Sequence, residues 1–304
     1  MLNRRQILGA ALAAGSSALG GVARAEDWRS KYKEIVFAVV PAENASGVSD
    51  RYEPFIGYLS KALGVKVTLR LATDYAAVIE GQRNESIHIG HYGPASYARA
   101  IVTGVKTEPF CTTINESGTI GYYSVFYVRA DSPYKTIEDL KGKNLGLVDP
   151  NSTSGNNVPR FLLHKMKIVP EKYFANVTYS GSHENVVIAL EQKTVDVGAD
   201  WWKSDDDSNL MRMVKKGMAK KDDFRTILKS DLIPNSPNAY LASLPADMKA
   251  AIRKAFEEAP TRDKAAFDRL SDGKDRGFKA VDAAYYEPVI ELIKFIDTLR
   301  KEKS

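Results

Sequence analysis

The chain has 304 residues, of which 44% are hydrophobic and 10% aromatic, and these values indicate a globular protein with room for two domains or lobes. The formal charge of +5 gives little support to nucleic-acid binding, because the charged residues alternate in sign and form no basic stripe. The single cysteine, Cys111, excludes an intrachain disulfide, so stability has to come from the hydrophobic core.

The first 25 residues form a separate segment. Arg4 and Arg5 precede an apolar, small-residue run, which ends at Ala23-Arg-Ala25 in the A-x-A pattern of a cleavage site. We therefore predict an export signal that is cleaved after Ala25 and a periplasmic mature protein. The adjacent arginines also fit the twin-arginine (Tat) pattern, although such pairs are common in ordinary Sec signals. Loss of the leader lowers the formal charge from +5 to +2, and no later apolar run approaches the ~20 residues that span a bilayer.

The rest of the chain alternates between strand and helix patterns. The continuous apolar run Glu34–Val40 predicts a strand buried on both faces, and residues 65–71 predict a second strand after an intervening helix. The alternation continues through residues 86–113 and favours a mostly parallel sheet with helices on both faces. The aromatic and β-branched run Tyr122–Val128 predicts a further strand.

A cluster of hydroxyl residues lies where a strand runs into a helix. The apolar run Leu145–Val148 predicts a buried strand, and residues 149–155, Asp-Pro-Asn-Ser-Thr-Ser-Gly, form what we call the hydroxyl loop. The first amides of a helix lack intrahelical partners and its dipole favours negative charge. Three side chains of this loop could therefore converge with those amides on an oxyanion, namely Ser152, Thr153 and Ser154. The alternative is an ordinary helix cap, in which the same hydroxyls only satisfy the free amides.

The hydroxyl loop, followed by Gly181-Ser-His-Glu184 and Val195-Asp-Val197, resembles a known family. These motifs are similar to those of the phosphonate-binding proteins of ATP-driven (ABC) importers, and the resemblance runs from about Glu34 to about Tyr286. It implies an α/β, two-lobed fold of the periplasmic-binding-protein type II, with a ligand cleft between the lobes.

The resemblance also implies two hinge crossings, near Val128 and Leu232, and hence a discontinuous first lobe. The expected segments are the export signal at residues 1–25, lobe 1 at 26–129 and 233–304, and lobe 2 at 130–232.

As a function, the resemblance implies capture of a phosphonate or related phosphorus oxyanion and its delivery to the membrane permease of an ABC importer. Neither catalysis nor a cofactor is expected. One alternative is a binder of phosphite, phosphate or another small anion, with a smaller cleft that lacks an amine site. The other is a secreted hydrolase of phosphonate or phosphate esters, which would need a metal cluster or an activated nucleophile. The four histidines show no metal-ligand pattern, and the chain lacks a Walker loop and a G-x-S-x-G motif.

Several ligand contacts outside the hydroxyl loop follow from the resemblance. His183 lies between a predicted strand and a helix, where it can donate to a phosphonate oxygen or simply cap the helix. Tyr75 and Tyr122 match positions that donate phenol hydroxyls to the ligand, and Tyr92 matches another position facing the cleft. Each of these tyrosines could instead pack in the core.

The organic end of the ligand is less well defined by the sequence. Family members that bind aminoethylphosphonate neutralise its ammonium with carboxylates, one of which lies in the crossing where this chain has Ser236. Asp200 with Trp201 or Trp202 could replace that carboxylate through charge and cation–π contact, or the tryptophans could pack at a lobe edge. The acidic run Asp205–Asp207 is predicted to be a solvated loop.

Overall fold

A computed structural model describes residues 27–301. The predicted export signal, its cleavage site after Ala25 and the twin-arginine motif lie outside the described residues. Every helix within residues 27–301 is too short or too polar to cross a membrane.

Strands and helices alternate through most of the described chain. The strands are β1 (Glu34–Val39), β2 (Lys66–Leu71), β3 (Ile89–His91), β4 (Thr107–Asn115), β5 (Gly121–Arg129), β6 (Asn144–Leu147), β7 (Asn176–Tyr179), β8 (Val197–Ser204), β9 (Asp207–Ser208), β10 (Phe224–Lys229), β11 (Ile233–Pro234), β12 (Pro237–Leu241) and β13 (Asp275–Ala280). The α-helices are α1 (Trp28–Lys31), α2 (Ala45–Leu63), α3 (Tyr75–Arg83), α4 (Pro94–Val102), α5 (Val158–Lys165), α6 (Pro170–Tyr173), α7 (His183–Glu191), α8 (Asn209–Lys215), α9 (Ala246–Arg262), α10 (Lys264–Ser271) and α11 (Glu287–Lys301). A π-helical turn, Thr153–Asn157, leads directly into α5.

Two mixed sheets form the centres of two lobes. The first sheet has the order β13-β4-β12-β3-β1-β2, and the second has the order β10-β5-β8-β6-β7, with β11 on β5 and β9 on β8. The β1, β2 and β3 strands are mutually parallel where they pair, and so are β6, β7 and β8. The prediction of a mostly parallel sheet is therefore only partly correct, because the other strand pairs in both sheets are antiparallel. The antiparallel strands β4, β12 and β13 extend the first sheet.

Each sheet has its own hydrophobic core. In lobe 1, the β1 residues Ile35 and Phe37 pack against the α2 residues Phe55 and Leu59, and all four are almost completely buried. The α2 helix ends at Gly64, which adopts the left-handed conformation that glycine reaches without strain. In lobe 2, the core is formed by buried residues of β5, β6, β8 and α5, among them Phe126, Leu145, Leu147, Leu163 and Val197.

The strand pairing corrects the expected lobe boundaries. Gly121–Arg129 pairs with β8 through six residue pairs and therefore belongs to lobe 2, although the sequence predicts residues up to 129 in lobe 1. Lobe 1 thus comprises residues 27–115 and 237–301, and lobe 2 comprises residues 121–234. An aromatic, β-branched run predicts a strand, but its composition does not determine which of two buried sheets it joins.

The two crossings between the lobes contact each other. The backbone amide of Asn235, in the return crossing, donates to the Ile120 carbonyl of the outgoing crossing at 3.1 Å. Its side-chain amide donates to the Thr113 carbonyl at 2.9 Å, and the Tyr286 hydroxyl donates to the Asn235 carbonyl at 2.9 Å. Asn235 therefore joins both crossings at the base of the cleft.

Candidate functional site

A cavity of about 150 Å³ lies between the two lobes. Lobe 1 contributes Tyr75 and Gly93 to its lining, and lobe 2 contributes Tyr122, the three hydroxyl residues of the hydroxyl loop, His183 and Trp201. The structure therefore brings together side chains that are separated by more than 100 positions in the sequence.

The N-terminal ends of four helical segments meet at this cavity. The α3 helix begins at Tyr75, α4 follows its N-cap Gly93, the π-helical turn begins at Thr153, and α7 begins at His183. All four of these residues line the cavity. Since helix N-termini carry free amides and a partial positive charge, their convergence favours an anion.

The hydroxyl loop is buried at the same place. Ser152 Oγ accepts a hydrogen bond from the Gly155 amide at 3.1 Å, as a helix cap does. Thr153 Oγ1 accepts from the Ala95 amide at 2.8 Å, across the cleft from lobe 1. A hydroxyl that accepts through a lone pair retains its proton for donation. The cap and the anion contact are thus compatible, and the same side chains can serve as both.

Two of the predicted tyrosines also line the cavity. Tyr75 and Tyr122 are both buried, and burial raises the pKa of each phenol. For Tyr122 burial raises the pKa to about 12, although side-chain hydrogen bonds with Thr153 and Ser154 oppose this change. Both phenols therefore keep their protons at neutral pH and can donate to an anion.

His183 is oriented by a fully buried carboxylate. Its Nδ1 lies 2.7 Å from Asp200 Oδ1, and Asp200 also accepts from the Trp201 amide at 2.7 Å and from Asn209 Nδ2 at 2.8 Å. Asp200 accepts all of these hydrogen bonds, so the imidazole nitrogen that faces it, Nδ1, carries a proton. His183 lines the cavity, and the nitrogen that remains for a ligand is Nε2.

Asp200 is therefore not available to an ammonium group, in contrast to the sequence-based hypothesis. Its oxygen atoms are shared among His183, Trp201 and Asn209, and its side chain is completely buried. Trp201 does line the cavity, where the Arg212 guanidinium lies 4.8 Å from the centre of its ring. That face of the tryptophan is thus occupied by a cation of the protein itself.

The structure does not bring Tyr92 or Trp202 to the cavity. The Tyr92 hydroxyl donates to Gln82 Oε1 at 2.9 Å inside lobe 1, and its side chain is completely buried. Trp202 lies on the opposite face of β8 from Trp201, with its ring 5.6 Å from that of Tyr123 and 4.2 Å from Lys229 Nζ. Adjacent residues of a strand point to opposite faces, so only one of the two tryptophans can reach the cleft.

Charged residues that the sequence analysis did not select connect the lobes. Glu43 of lobe 1 pairs with Arg51 of its own lobe at 2.5 Å and with Lys216 of lobe 2 at 3.0 Å. Burial acts to raise the pKa of Glu43, but Arg51, Arg212 and Lys216 outweigh it and hold the pKa at about 2. The carboxylate therefore stays ionised between the lobes.

Further contacts connect the lobes beside Glu43. Glu184 Oε2 accepts from the Asn44 amide at 2.8 Å, and the His183 amide donates to the Ala42 carbonyl at 3.1 Å. Glu43 lies in the loop after β1, at the carboxyl end of a parallel strand, where ligand sites of α/β proteins occur. This position was the one feature of the sequence that pointed to Glu43. The sequence did not indicate that Glu43 would pair with Lys216, because the two residues lie far apart in the chain.

The expected solvated loop at Asp205–Asp207 is only partly correct. Asp205 and Asp206 are exposed, but Asp207 is buried in β9, 3.6 Å from Lys203 Nζ. Within residues 27–301, no group of three or more histidine, cysteine, aspartate or glutamate side chains is arranged to hold a metal ion. His91, which lines the cavity, lies 3.0 Å from Asn238 Oδ1, and burial lowers its pKa to about 4. It is therefore neutral at physiological pH.

Comparisons with known proteins agree with this architecture. Residues 37–286 match the family model of the periplasmic substrate-binding protein of phosphonate ABC transporters. The phosphonates-binding periplasmic protein of Escherichia coli K12 is 31% identical over 244 residues, which are 78% of this chain and 70% of that protein. The phosphate-import protein PhnD of Mycolicibacterium smegmatis is 33% identical over 210 residues, which are 66% of this chain and 64% of that protein.

Solved structures confirm the type II fold. A binding protein of a Pseudomonas aeruginosa ABC phosphonate transporter superposes with a TM-score of 0.78 at 29% identity, with 86% of each chain covered. PhnD1 of Prochlorococcus marinus, solved with methylphosphonate, gives a TM-score of 0.73 at 18% identity over 87% of this chain and 98% of that chain. The match over most of the chain confirms the resemblance seen in the sequence motifs: this protein belongs to the family of periplasmic phosphonate-binding proteins of ABC transporters.

Proposed function

We propose that this protein captures a phosphonate or a related phosphorus oxyanion in the periplasm and delivers it to the membrane permease of an ABC importer. The observation that carries the proposal is the convergence of four helix N-termini, three hydroxyls, two protonated phenols and His183 Nε2 on one interlobe cavity. Family membership supports the same ligand class, since relatives are named for phosphonates, phosphate and phosphite.

The donors of the site suit a doubly charged tetrahedral anion. Tyr75 and Gly93 approach it from lobe 1, and the hydroxyl loop and His183 approach it from lobe 2. The hydroxyls, the phenols and the helix N-termini stabilise such an anion as neutral hydrogen-bond donors, and His183 adds a donor at Nε2 when its ring carries a proton on each nitrogen. The ligand joins the two lobes, so its binding favours the closed arrangement.

Reversible binding is favoured over ester hydrolysis by the arrangement of the same residues. A serine or threonine nucleophile would need a base within hydrogen-bond reach of its hydroxyl. Among the described residues, Ser152 Oγ and Thr153 Oγ1 bond to the amides of Gly155 and Ala95, and neither makes a hydrogen bond to the His183 ring, whose Nδ1 pairs with Asp200. No activated nucleophile is formed by these contacts.

Isothermal titration calorimetry of the mature chain tests the proposal. Methylphosphonate, phosphite and phosphate are titrated separately, with sulfate and methanesulfonate as tetrahedral anions of another class. We expect at least one phosphorus oxyanion to bind at least tenfold more tightly than either sulfur anion. Equal or tighter binding of the sulfur anions would contradict the proposal, as would steady release of phosphate from a phosphate ester.

For export, we propose that residues 1–25 direct the chain to the periplasm and are cleaved after Ala25. The periplasmic family and the A-x-A pattern support this reading, and the arginine pair supports the twin-arginine route. Mass spectrometry of the periplasmic protein should give a mature chain beginning at Glu26. Replacement of Arg4 and Arg5 by lysine should block export by the twin-arginine route and leave Sec export intact.

A further inference from the structure

Lys203 lies in the wall of the ligand cavity between two carboxylates. Its Nζ is 2.9 Å from Asp275 Oδ1 and 3.6 Å from Asp207 Oδ2. Lys203 and Asp275 line the cavity, and the three side chains are between 7% and 16% exposed. Lys203 belongs to β8 of lobe 2, whereas Asp275 opens β13 of lobe 1, so the ion pair spans the cleft.

The position of Lys203 relates it to the ligand. It is two residues after Trp201 on β8, and both side chains line the cavity. Trp201 and Lys203 therefore form one wall of the cavity that also holds the hydroxyl loop and His183. A phosphonate whose phosphorus end is held by the hydroxyl loop would extend its organic substituent within the same 150 Å³.

A ligand that carries an amine would need a place for its ammonium group between two buried carboxylates. Here Lys203 Nζ already fills that place. The other charged residues that line the cavity are also paired: Glu43 with Arg51 and Lys216, and Arg212 with Asp272 at 2.6 Å. A charged substituent would therefore have to displace an existing buried ion pair, which is costly.

We infer that Lys203 is a specificity-determining residue, whose ammonium takes the place of a ligand amine and restricts the site to phosphorus oxyanions with a small uncharged substituent. This inference rests on the proposed function, because it concerns the other end of the same ligand. The uncharged polar residues of the lining fit such a substituent: Thr113, Ser236, Asn238 and the neutral His91.

A carboxylate on the ligand is disfavoured by the same arrangement. It would compete with Asp275 and Asp207 for one ammonium, and it would lie beside both of them. Phosphonoacetate therefore serves as a second charged probe. The matched pair of ligands for the amine is ethylphosphonate and 2-aminoethylphosphonate, which differ in length only by the terminal amine.

Calorimetry of the mature wild-type chain and the Lys203→Met variant tests the inference. We expect the wild type to bind 2-aminoethylphosphonate and phosphonoacetate at least tenfold more weakly than ethylphosphonate. In Lys203→Met, the ligand amine can pair with Asp275 and Asp207, so the affinity ratio of amine to ethyl ligand should rise about tenfold or more. Adding Asp275→Asn to Lys203→Met should remove most of that gain.

Lys249→Met is the matched control, because Lys249 Nζ makes a 2.9 Å ion pair with Glu108, is similarly buried, and does not line the cavity. It should keep the wild-type ratio. If Lys203→Met does not fold, as judged by circular dichroism, Lys203→Gln replaces it with a neutral polar side chain. An unchanged ratio in the folded variant, or a wild type that prefers either charged ligand, would overturn the inference. Failure of wild type and Lys249→Met to bind any phosphorus oxyanion would instead reject the proposed function.

Discussion

His183 Nδ1 lies 2.7 Å from Asp200 Oδ1, and this contact determines which nitrogen of the imidazole faces the ligand cavity. Asp200 is completely buried and accepts two further hydrogen bonds, so its position is rigid. The aspartate that the sequence suggested as a partner for the organic end of the ligand thus bonds to the histidine that we propose for the phosphorus end.

Asp200→Asn should therefore weaken the binding of all phosphorus oxyanions to a similar degree. An imidazole that donates to Asp200 through Nδ1 and to the anion through Nε2 carries two protons, and a neutral amide in place of the Asp200 carboxylate no longer stabilises that positive charge. We expect about a tenfold loss of affinity for methylphosphonate and phosphite alike, measured by calorimetry. A loss confined to ligands that carry an ammonium would show instead that Asp200 contacts the organic end.

Tyr122→Phe should lower ligand affinity with little change in stability. The substitution removes one phenol hydroxyl from the cavity and keeps the buried ring, so the expected loss is about 1–2 kcal/mol, or roughly five- to thirtyfold in Kd. Tyr123→Phe is the matched control, because Tyr123 is adjacent on β5 and its ring packs against Trp202 and Lys229 outside the cavity. Equal effects of the two variants in calorimetry would exclude a ligand contact for Tyr122.

Ser152→Ala should affect both binding and stability. Its hydroxyl caps the π-helical turn through the Gly155 amide, so its loss should lower the free energy of unfolding by about 1 kcal/mol. It should also lower anion affinity about tenfold, because the donated hydrogen bond is lost. Ser208→Ala removes a comparable cap, the 3.1 Å bond from the Met211 amide at α8, away from the cavity lining. Urea unfolding should show similar losses for both variants, and calorimetry should show weaker binding only for Ser152→Ala.

Most of the side chains proposed for the anion end line the cavity, whereas of those proposed for the organic end only Trp201 does. Ser152, Thr153, Ser154 and His183 follow strands and begin helices, and local patterns reveal such positions. The pairing of Lys203 with Asp275 depends on the approach of β8 to β13 from different lobes. Only the tertiary structure determines that contact, since 71 residues separate the two side chains.

The lobe boundary shows the same limit. The composition of Gly121–Arg129 predicts a strand, and the structure confirms it, but its position in the second sheet depends on pairing with β8. For Tyr92, a position in the family motif placed the side chain near the cleft, whereas its hydroxyl turns inward to Gln82. The motif positions thus predicted the secondary structure and the burial of these residues, but not the direction of each side chain.

Glu43 should make stability depend on pH in the acidic range. Its folded pKa of about 2 lies below the ordinary value of 4.5, so its stabilising contribution is complete above about pH 4.5 and is lost as the pH falls toward 2. Glu43→Gln should lower the free energy of unfolding by about 3 kcal/mol at pH 6, and the difference should shrink at pH 3. Urea unfolding at both pH values measures this.

Glu291→Gln is the control for that measurement, since Glu291 forms an exposed pair with Lys294 on α11. Its unfolding free energy should differ little from that of the wild type at either pH. A difference for Glu43→Gln that is the same at pH 6 and pH 3 would mean that packing, rather than charge, accounts for the effect of the substitution.

Lys216→Met should weaken ligand binding although Lys216 lies outside the cavity. Lys216 Nζ pairs with Glu43 of lobe 1 at 3.0 Å and with Glu184 at 2.8 Å, and it does not line the cavity. Loss of the interlobe pair lowers the population of the closed arrangement, and the apparent affinity falls in proportion to that population. We expect only about a threefold to tenfold loss of affinity, because the pair is partly exposed. Most of this loss should appear as faster dissociation of the ligand.

Small-angle scattering provides the structural readout for this variant. Saturating methylphosphonate should reduce the radius of gyration of the wild type, and Lys216→Met should need a higher ligand concentration for the same reduction. Lys215→Met, at the neighbouring exposed position of α8, should behave as the wild type does. If Lys216→Met binds with wild-type affinity and closes at the same ligand concentration, the Glu43–Lys216 pair contributes nothing to closure, and the donors of the cavity alone hold the two lobes together.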